Sequence, residues 1–236
     1  MSYNDVMTLP SYDIVIPCYN RAHSVGDTLE SALAQTRPPA RIVIVDDHSS
    51  DADRLPDIIE GKGEHISLLR QEVNRGVSAA RNTGAARCSS DWIAFLDSDD
   101  TWLPDAAQDM LGLADGQGLD VVVGHYRRVR MGGTPSVPEC SWDGKDIHAA
   151  LRTGGVIGPS WSMIRRTAFD ASGGFDENLR TCEDWDLFLR LATSGARFGR
   201  IDSVVAHYRT VEGDRLMDDD ASLSECEIIV RERHGI

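Results

Sequence analysis

Residues 92–100 read WIAFLDSDD, from Trp92 to Asp100, and their reading decides the fold. Trp92 to Leu96 is a continuous apolar run, the mark of a strand buried on both faces. Sheets covered on both faces are parallel sheets with helices on each side. The run ends in Asp97, Ser98, Asp99 and Asp100. In open α/β sheets, ligands bind outside the carboxyl ends of the strands. The same nine residues therefore predict an architecture and mark where a polar site belongs.

The chain on either side repeats the theme. Upstream, Asp13 to Pro17 (DIVIP), Arg41 to Val45 (RIVIV) and Ile66 to Arg70 (ISLLR) read as strands. Ser24 to Gln35 reads as a helix, capped by Ser24 with Asp27 three residues on. Its apolar face is Val25, Leu29, Ala32 and Leu33. Gly76 to Cys88 reads as a small-residue helix. Helices between strands imply right-handed crossovers. Three polar groups should then share one sheet edge: Cys18 to Arg21, Asp46-Asp47 and Asp97 to Asp100. Downstream, Asp120 to Arg130 reads as one or two strands, Gly132 to Gly144 as loop, Asp146 to Arg152 as a short helix and Ser160 to Ile164 as a short strand. Glu183 to Thr193 is a helix with Leu187, Phe188 and Leu191 on one face, and Ser203 to Arg209 a last strand. Met217 to Asp220 reads as a solvated acidic linker. Ala221 to Arg233 follows as an amphipathic helix presenting Leu223, Cys226, Ile229 and Val230.

Composition narrows the function. A length of 236 residues with 41% hydrophobic content suits one domain. A net charge of -14 argues against general nucleic-acid binding, which depends on Lys and Arg at phosphates. A divalent cation lets an acidic protein bind a diphosphate. The five cysteines are odd in number without a CxxC pair, and Met1 to Leu9 is not a secretory signal. That pattern reads as reduced cysteines in a cytoplasmic protein. The longest apolar runs, about five residues, fall far short of the ~20 of a membrane span. Peripheral contact with the inner membrane surface stays open.

The acidic clusters carry the candidate chemistry. Asp97 and Asp99 form a DxD triplet after a buried strand, and magnesium or manganese takes one or two protein carboxylates plus phosphate oxygens. A turn that opens the next segment is the other reading. Asp46-Asp47 serves equally as a solvated turn or as an acceptor for a base N–H or ribose hydroxyl. Arg75 and Arg81 flank a helix start suited to phosphate. Spacing alone favours surface arginines in weak ion pairs. Asp184 has two compatible roles. With Thr181 it completes a capping box. On the apolar face of its helix it points into a cleft, where burial raises its pKa and suits it to accept a hydroxyl proton. Trp161 and Trp185 fit sugar stacking or, more commonly, core packing. No HxxxH or HExxH zinc pattern, GxSxG elbow or Walker loop occurs.

Taken together, the segments resemble the family 2 glycosyltransferases. The matching strings are IVIPCYNR (Ile14 to Arg21), IVIVDDHSSD (Ile42 to Asp51), NRGVSAARNTGA (Asn74 to Ala85), DWIAFLDSDDTWLP (Asp91 to Pro104) and GGFDENLRTCEDWDLFLRL (Gly173 to Leu191). The resemblance implies an α/β GT-A fold: a Rossmann-like, mostly parallel sheet flanked by helices. It implies one domain over 1–236, with a nucleotide-sugar half at 13–115, an acceptor half at 116–210 and a C-terminal tail or helix at 211–236. It also implies roles. Pro17, Tyr19, Asn20 and Asp47 lie at the nucleotide base, usually uracil. Arg75 and the Arg81 to Gly84 stretch lie beside the nucleotide, Asp97 and Ser98 near the ribose, and Asp99 on the metal, Mn2+ or Mg2+. Asp184 is the catalytic base of an inverting transfer from a UDP-sugar to an acceptor hydroxyl of a glycan, lipid-linked sugar or small molecule.

Two features depart from the family pattern. Members often carry a histidine just after a late YR pair. Here Thr210 follows Tyr208-Arg209 and His207 precedes it, which leaves its approach to a metal open. The QxxRW motif of processive synthases is absent, which favours adding a single sugar. Two rivals remain: a sugar-1-phosphate nucleotidyltransferase, which needs a Gly-rich loop that IVIPCYNR does not supply, and an inactive binding protein.

Overall fold

The structure, a computed structural model, describes residues 10–130, 136–140, 142–210 and 220–236. The strands are β1 (Tyr12–Cys18), β2 (Arg41–Asp46), β3 (Ile66–Arg70), β4 (Trp92–Phe95), β5 (Thr101–Trp102), β6 (Val121–Arg130), β7 (Ser162–Arg165) and β8 (Phe198–Thr210). The helices are α1 (Val25–Leu33), α2 (Leu55–Ile59), α3 (Val77–Ala85), α4 (Ala106–Gln117), α5 (Ile147–Thr153), α6 (Arg166–Ser172), α7 (Glu183–Thr193) and α8 (Asp220–His234).

The strands form one eight-stranded sheet in the order β3-β2-β1-β4-β7-β6-β8-β5. The first four are parallel, as the apolar runs predict. The second half is mixed. β7 runs antiparallel to both β4 and β6, β8 is parallel to β6, and β5 is antiparallel to β8. The register of β6 against β8 shifts between Val123 and Tyr126, and an isolated bridge joins Tyr126 to Glu139 inside the expected loop.

Side chains alternate between two cores, as the pleat requires. Ile14 and Ile16 of β1 and Trp92, Ala94 and Leu96 at β4 face α1 and α4. Val15, Ile93 and Phe95 face α6, α7 and α8. Burial on both faces of the central strands is therefore real. Gly84 lets α3 lie directly on the sheet, since a Cβ there would come within 2.3 Å of Val15.

Several expectations change. Ser24 precedes α1 but makes no side-chain cap; its hydroxyl donates to the Ser98 carbonyl at 2.9 Å. The N-cap position of α7 falls on Cys182 rather than Thr181, and the Cys182 side chain makes no cap bond. On α8, Cys226 and Val230 are buried while Ile229 is 38% exposed; the Leu223 side chain lies outside the described residues. Of the expected acidic linker, residues 217–219 lie outside the described residues and Asp220 opens α8. Among the described residues, no helix is long and apolar enough to cross a membrane.

Candidate functional site

The three polar strand ends do meet. The Asp47 N–H donates to the Cys18 carbonyl at 2.8 Å. The Asn20 N–H donates to Ser49 Oγ at 2.9 Å, and Asn20 Oδ1 accepts from the Ser50 N–H at 2.8 Å. Ser24 ties this rim to Ser98 of the DxD loop. Asn20 and His48 hold φ near 53° and 64°, a left-handed conformation that side chains adopt at a cost. Pro17 lies inside the strand in register with Val45, one residue before its end at Cys18, and Tyr19 projects from the rim, 50% exposed.

Asp47 organises the start of α3. Its carboxylate oxygens accept the N–H groups of Arg75 and Gly76, each at 2.8 Å. Burial raises its pKa, and the two N–H bonds oppose that rise. Arg75 is a surface arginine paired with Glu177 at 2.7 Å, as spacing suggested.

Arg81 is not a surface arginine. Only 3% exposed, it donates through Nη1 to Glu183 and through Nη2 to Asp97, each at 2.7 Å. Its guanidinium also lies 5.0 Å over the Phe175 ring. One buried cation thus joins the first acid of the DxD loop to the first residue of α7. Asp184 is next in that helix, and its Oδ1 accepts the Trp185 N–H at 2.7 Å. The Asp184 pKa is raised to about 7, first by burial and then by the Glu183 charge, with Arg81 pulling the other way. A carboxyl poised there can accept a hydroxyl proton near neutral pH. Cys182, just before α7, holds φ near 60°.

The other acids of the DxD loop differ in setting. Asp99 is 40% exposed at its side chain, and Arg21 Nε lies 3.8 Å away, beyond hydrogen-bond reach. Asp100 is fully buried; its Oδ1 accepts the Arg209 N–H at 2.9 Å, and burial raises its pKa well above the ordinary value. Among the described residues, no three His, Cys, Asp or Glu side chains group as a metal cage. His207 faces Thr101 across β5 and β8; burial, then Arg127 and Arg209, lower its pKa.

Sequence reasoning missed Ser160, Trp161 as part of an aromatic group, Phe175, Glu177 and the role of Glu183. Ser160 Oγ accepts the Asp97 N–H at 3.1 Å. Next to it, Trp161 stacks on Tyr126 with centroids 4.1 Å apart, and Tyr208 closes the trio at 5.5 Å from Trp161. Trp185 is core, 2% exposed, with its indole N–H on the Leu151 carbonyl. An open groove of about 470 Å³ runs past Asn82, Phe175, Glu177 and Arg233; of the expected nucleotide-side residues it meets Asn82, from the Arg81 to Gly84 stretch. It adjoins them through the Arg75–Glu177 pair. For Phe175 and Glu177 the advance signal was the GGFDEN string itself.

The chain is similar to known proteins over most of its length. The chain is 28% identical over 211 residues to the amylovoran biosynthesis glycosyltransferase AmsB of Erwinia amylovora, covering 85% of this chain and 70% of AmsB. It is 31% identical over 214 residues to the putative teichuronic acid biosynthesis glycosyltransferase TuaG of Bacillus subtilis, covering 86% and 80%. Among solved structures, S. aureus TarS 1-349 in complex with UDP-GlcNAc superposes with a TM-score of 0.78 at 19% identity. That match covers 93% of this chain and 65% of the TarS chain, less than two thirds of its length. A second family model, glycosyltransferase like family 2, matches residues 156–211. With the glycosyl transferase family 2 model matching residues 13–173 on top of these likenesses, the chain belongs to that family of transferases.

Proposed function

We propose that this chain is an inverting glycosyltransferase that moves one sugar from a nucleotide-sugar, a UDP-sugar by preference, to an acceptor hydroxyl. The observation that carries the reading is Asp184: a carboxyl with a pKa of about 7, one guanidinium away from the acids at the end of β4. TarS, similar in fold, is described with UDP-GlcNAc, which favours uracil as the base.

In this reading, Pro17, Tyr19, Asn20 and Asp47 receive the nucleoside at the β1–β2 end of the rim. Arg75, Arg81, Asp97 and Ser98 lie along the ribose and diphosphate. Asp99 would hold a divalent cation, Mn2+ or Mg2+, whose chemistry is to offset charge on the departing diphosphate. Asp184 takes the acceptor proton as the hydroxyl attacks the anomeric carbon from the face opposite the leaving group. The acceptor, a glycan, lipid-linked sugar or small molecule, approaches past Trp161, whose half-buried indole edges the site beside Ser160.

A donor screen with manganese tests this. Binding and nucleoside diphosphate release are measured across UDP-, GDP- and dTDP-sugars. Selective, chelator-sensitive recognition of UDP-sugars is expected. Indifference to every nucleotide-sugar overturns the reading.

A further inference from the structure

We propose that Arg81 is a positioning residue that clamps Asp97 to Glu183 and so holds the first turn of α7, with Asp184, in register with the donor. The proposal rests on the reading of Asp184 as the base.

Three observations support it. Both terminal nitrogens of Arg81 are committed at 2.7 Å, to Asp97 and to Glu183. The guanidinium is buried against the Phe175 face, so its plane is fixed. The start of α7 has no side-chain cap, and Cys182 enters it in a left-handed conformation. The Glu183–Arg81 bond does what a cap would do: it anchors the helix start. A planar fork can hold two carboxylates at fixed positions, whereas an ammonium holds one point charge.

Charge follows the same geometry. The groups that act on the Asp184 carboxyl are Glu183 on its own helix, Arg81 from α3 and Asp97 from the end of β4. The thiol of Cys182 sits just before it and is pushed up to about 12 by burial and then by the Asp184 charge. The basic side chains that α8 brings to α7 are placed elsewhere: Arg233 and His234 on Asp186, Arg231 over Trp185. α5 and α6 reach α7 through the Leu151 and Ser172 carbonyls. Removing Glu183 or Arg81 should therefore move the poise of Asp184 in opposite directions.

The test is the pH profile of kcat at saturating donor for the wild type, Glu183→Gln, Arg81→Gln and Arg81→Lys. The wild type should lose rate below about pH 7. Glu183→Gln should move that limb down by about one pH unit, and Arg81→Gln should move it up by a similar amount. Both should lower kcat at least ~10-fold, Glu183→Gln with little change in donor KM, and Arg81→Lys should not restore the rate. Should Arg81→Gln fail to fold, the nearly isosteric Glu183→Gln decides. A wild-type limb that neither variant moves leaves the base standing and overturns the clamp. A wild-type profile flat through this range removes the base, and the clamp with it.

Discussion

Two carboxylates on one helix turn, Asp184 and Asp186, have been pushed in opposite directions. Two residues apart on a helix, they point about 160° away from each other. Asp184 faces Glu183, Arg81 and Asp97, and its pKa rises to about 7. Asp186 faces α8 with no exposed surface; Arg190 Nε lies at 2.8 Å, and Arg233 Nη1 and His234 Nε2 each at 2.9 Å. Burial alone would raise its pKa too, but these partners outweigh burial and lower it. The difference teaches that burial does not decide a carboxyl's role. What decides is whether the neighbouring cation belongs to it. The cation near Asp184 is bound to Glu183 and Asp97 instead. In the proposed reading Asp184 is thus held ready for chemistry, while Asp186 fastens α8.

The largest effect that would break this contrast is on rate. Asp184→Asn should keep donor binding and lower kcat by about 10²–10⁴-fold, the range for losing a general base. Steady-state kinetics beside a donor titration check it; an unchanged kcat ends the assignment. Next comes Asp99→Ala, which should weaken cation-dependent donor binding by roughly 10-fold or more, read by calorimetry with and without chelator. Equal affinity in both would exclude Asp99 as ligand.

Asp186→Ala sharpens the contrast from the other side. It leaves Arg190 and Arg233 without their shared carboxylate. The loss should be about 2 kcal/mol, below the range for fully buried pairs because both arginines reach water. A Tm lower by roughly 6 °C, with kcat of the folded protein within a few-fold of wild type, is expected.

The smallest effect is a pH signature. The folded pKa of Asp184 lies above its unfolded value, so the native state holds the extra proton between about pH 4 and about pH 7. Its contribution to stability is present at low pH and lost as pH rises through about 7. Asp184→Asn should therefore raise Tm at pH 8 and gain less at pH 5. Asp186 has the opposite sign. Its contribution is present above its unfolded pKa and lost as pH falls through the lowered folded one. Melts of both variants across pH separate the two groups.

Much of the first half was legible because its signals are local. The apolar runs of β1, β2 and β4 and the acids after them report burial and strand ends within a few residues. α4 was missed although Ala107, Met110, Leu111 and Ala114 follow helical spacing; Gly112 and Gly116 dilute it, and Asp105 before it makes no side-chain cap. β5 has two residues and exists only because β8 pairs with it. The reversal of β7 follows from where the chain returns to the sheet, which no period encodes. In the site, the acids could be named but their partners could not. Arg81 reaches Asp97 across 16 positions and Glu183 across 102.

What the sequence by itself determined is the set of groups and their places along the chain: strands with acids at their ends, a small-residue helix that can lie on a sheet, and an acidic start to α7. Periodicity, turn chemistry and side-chain type are short-range properties, so they survive in one dimension. Only the tertiary structure decided which carboxylate stays poised and which is neutralised. That depends on which guanidinium arrives from a distant segment, and a few ångströms of placement in a low-dielectric interior change the sign of a pKa shift.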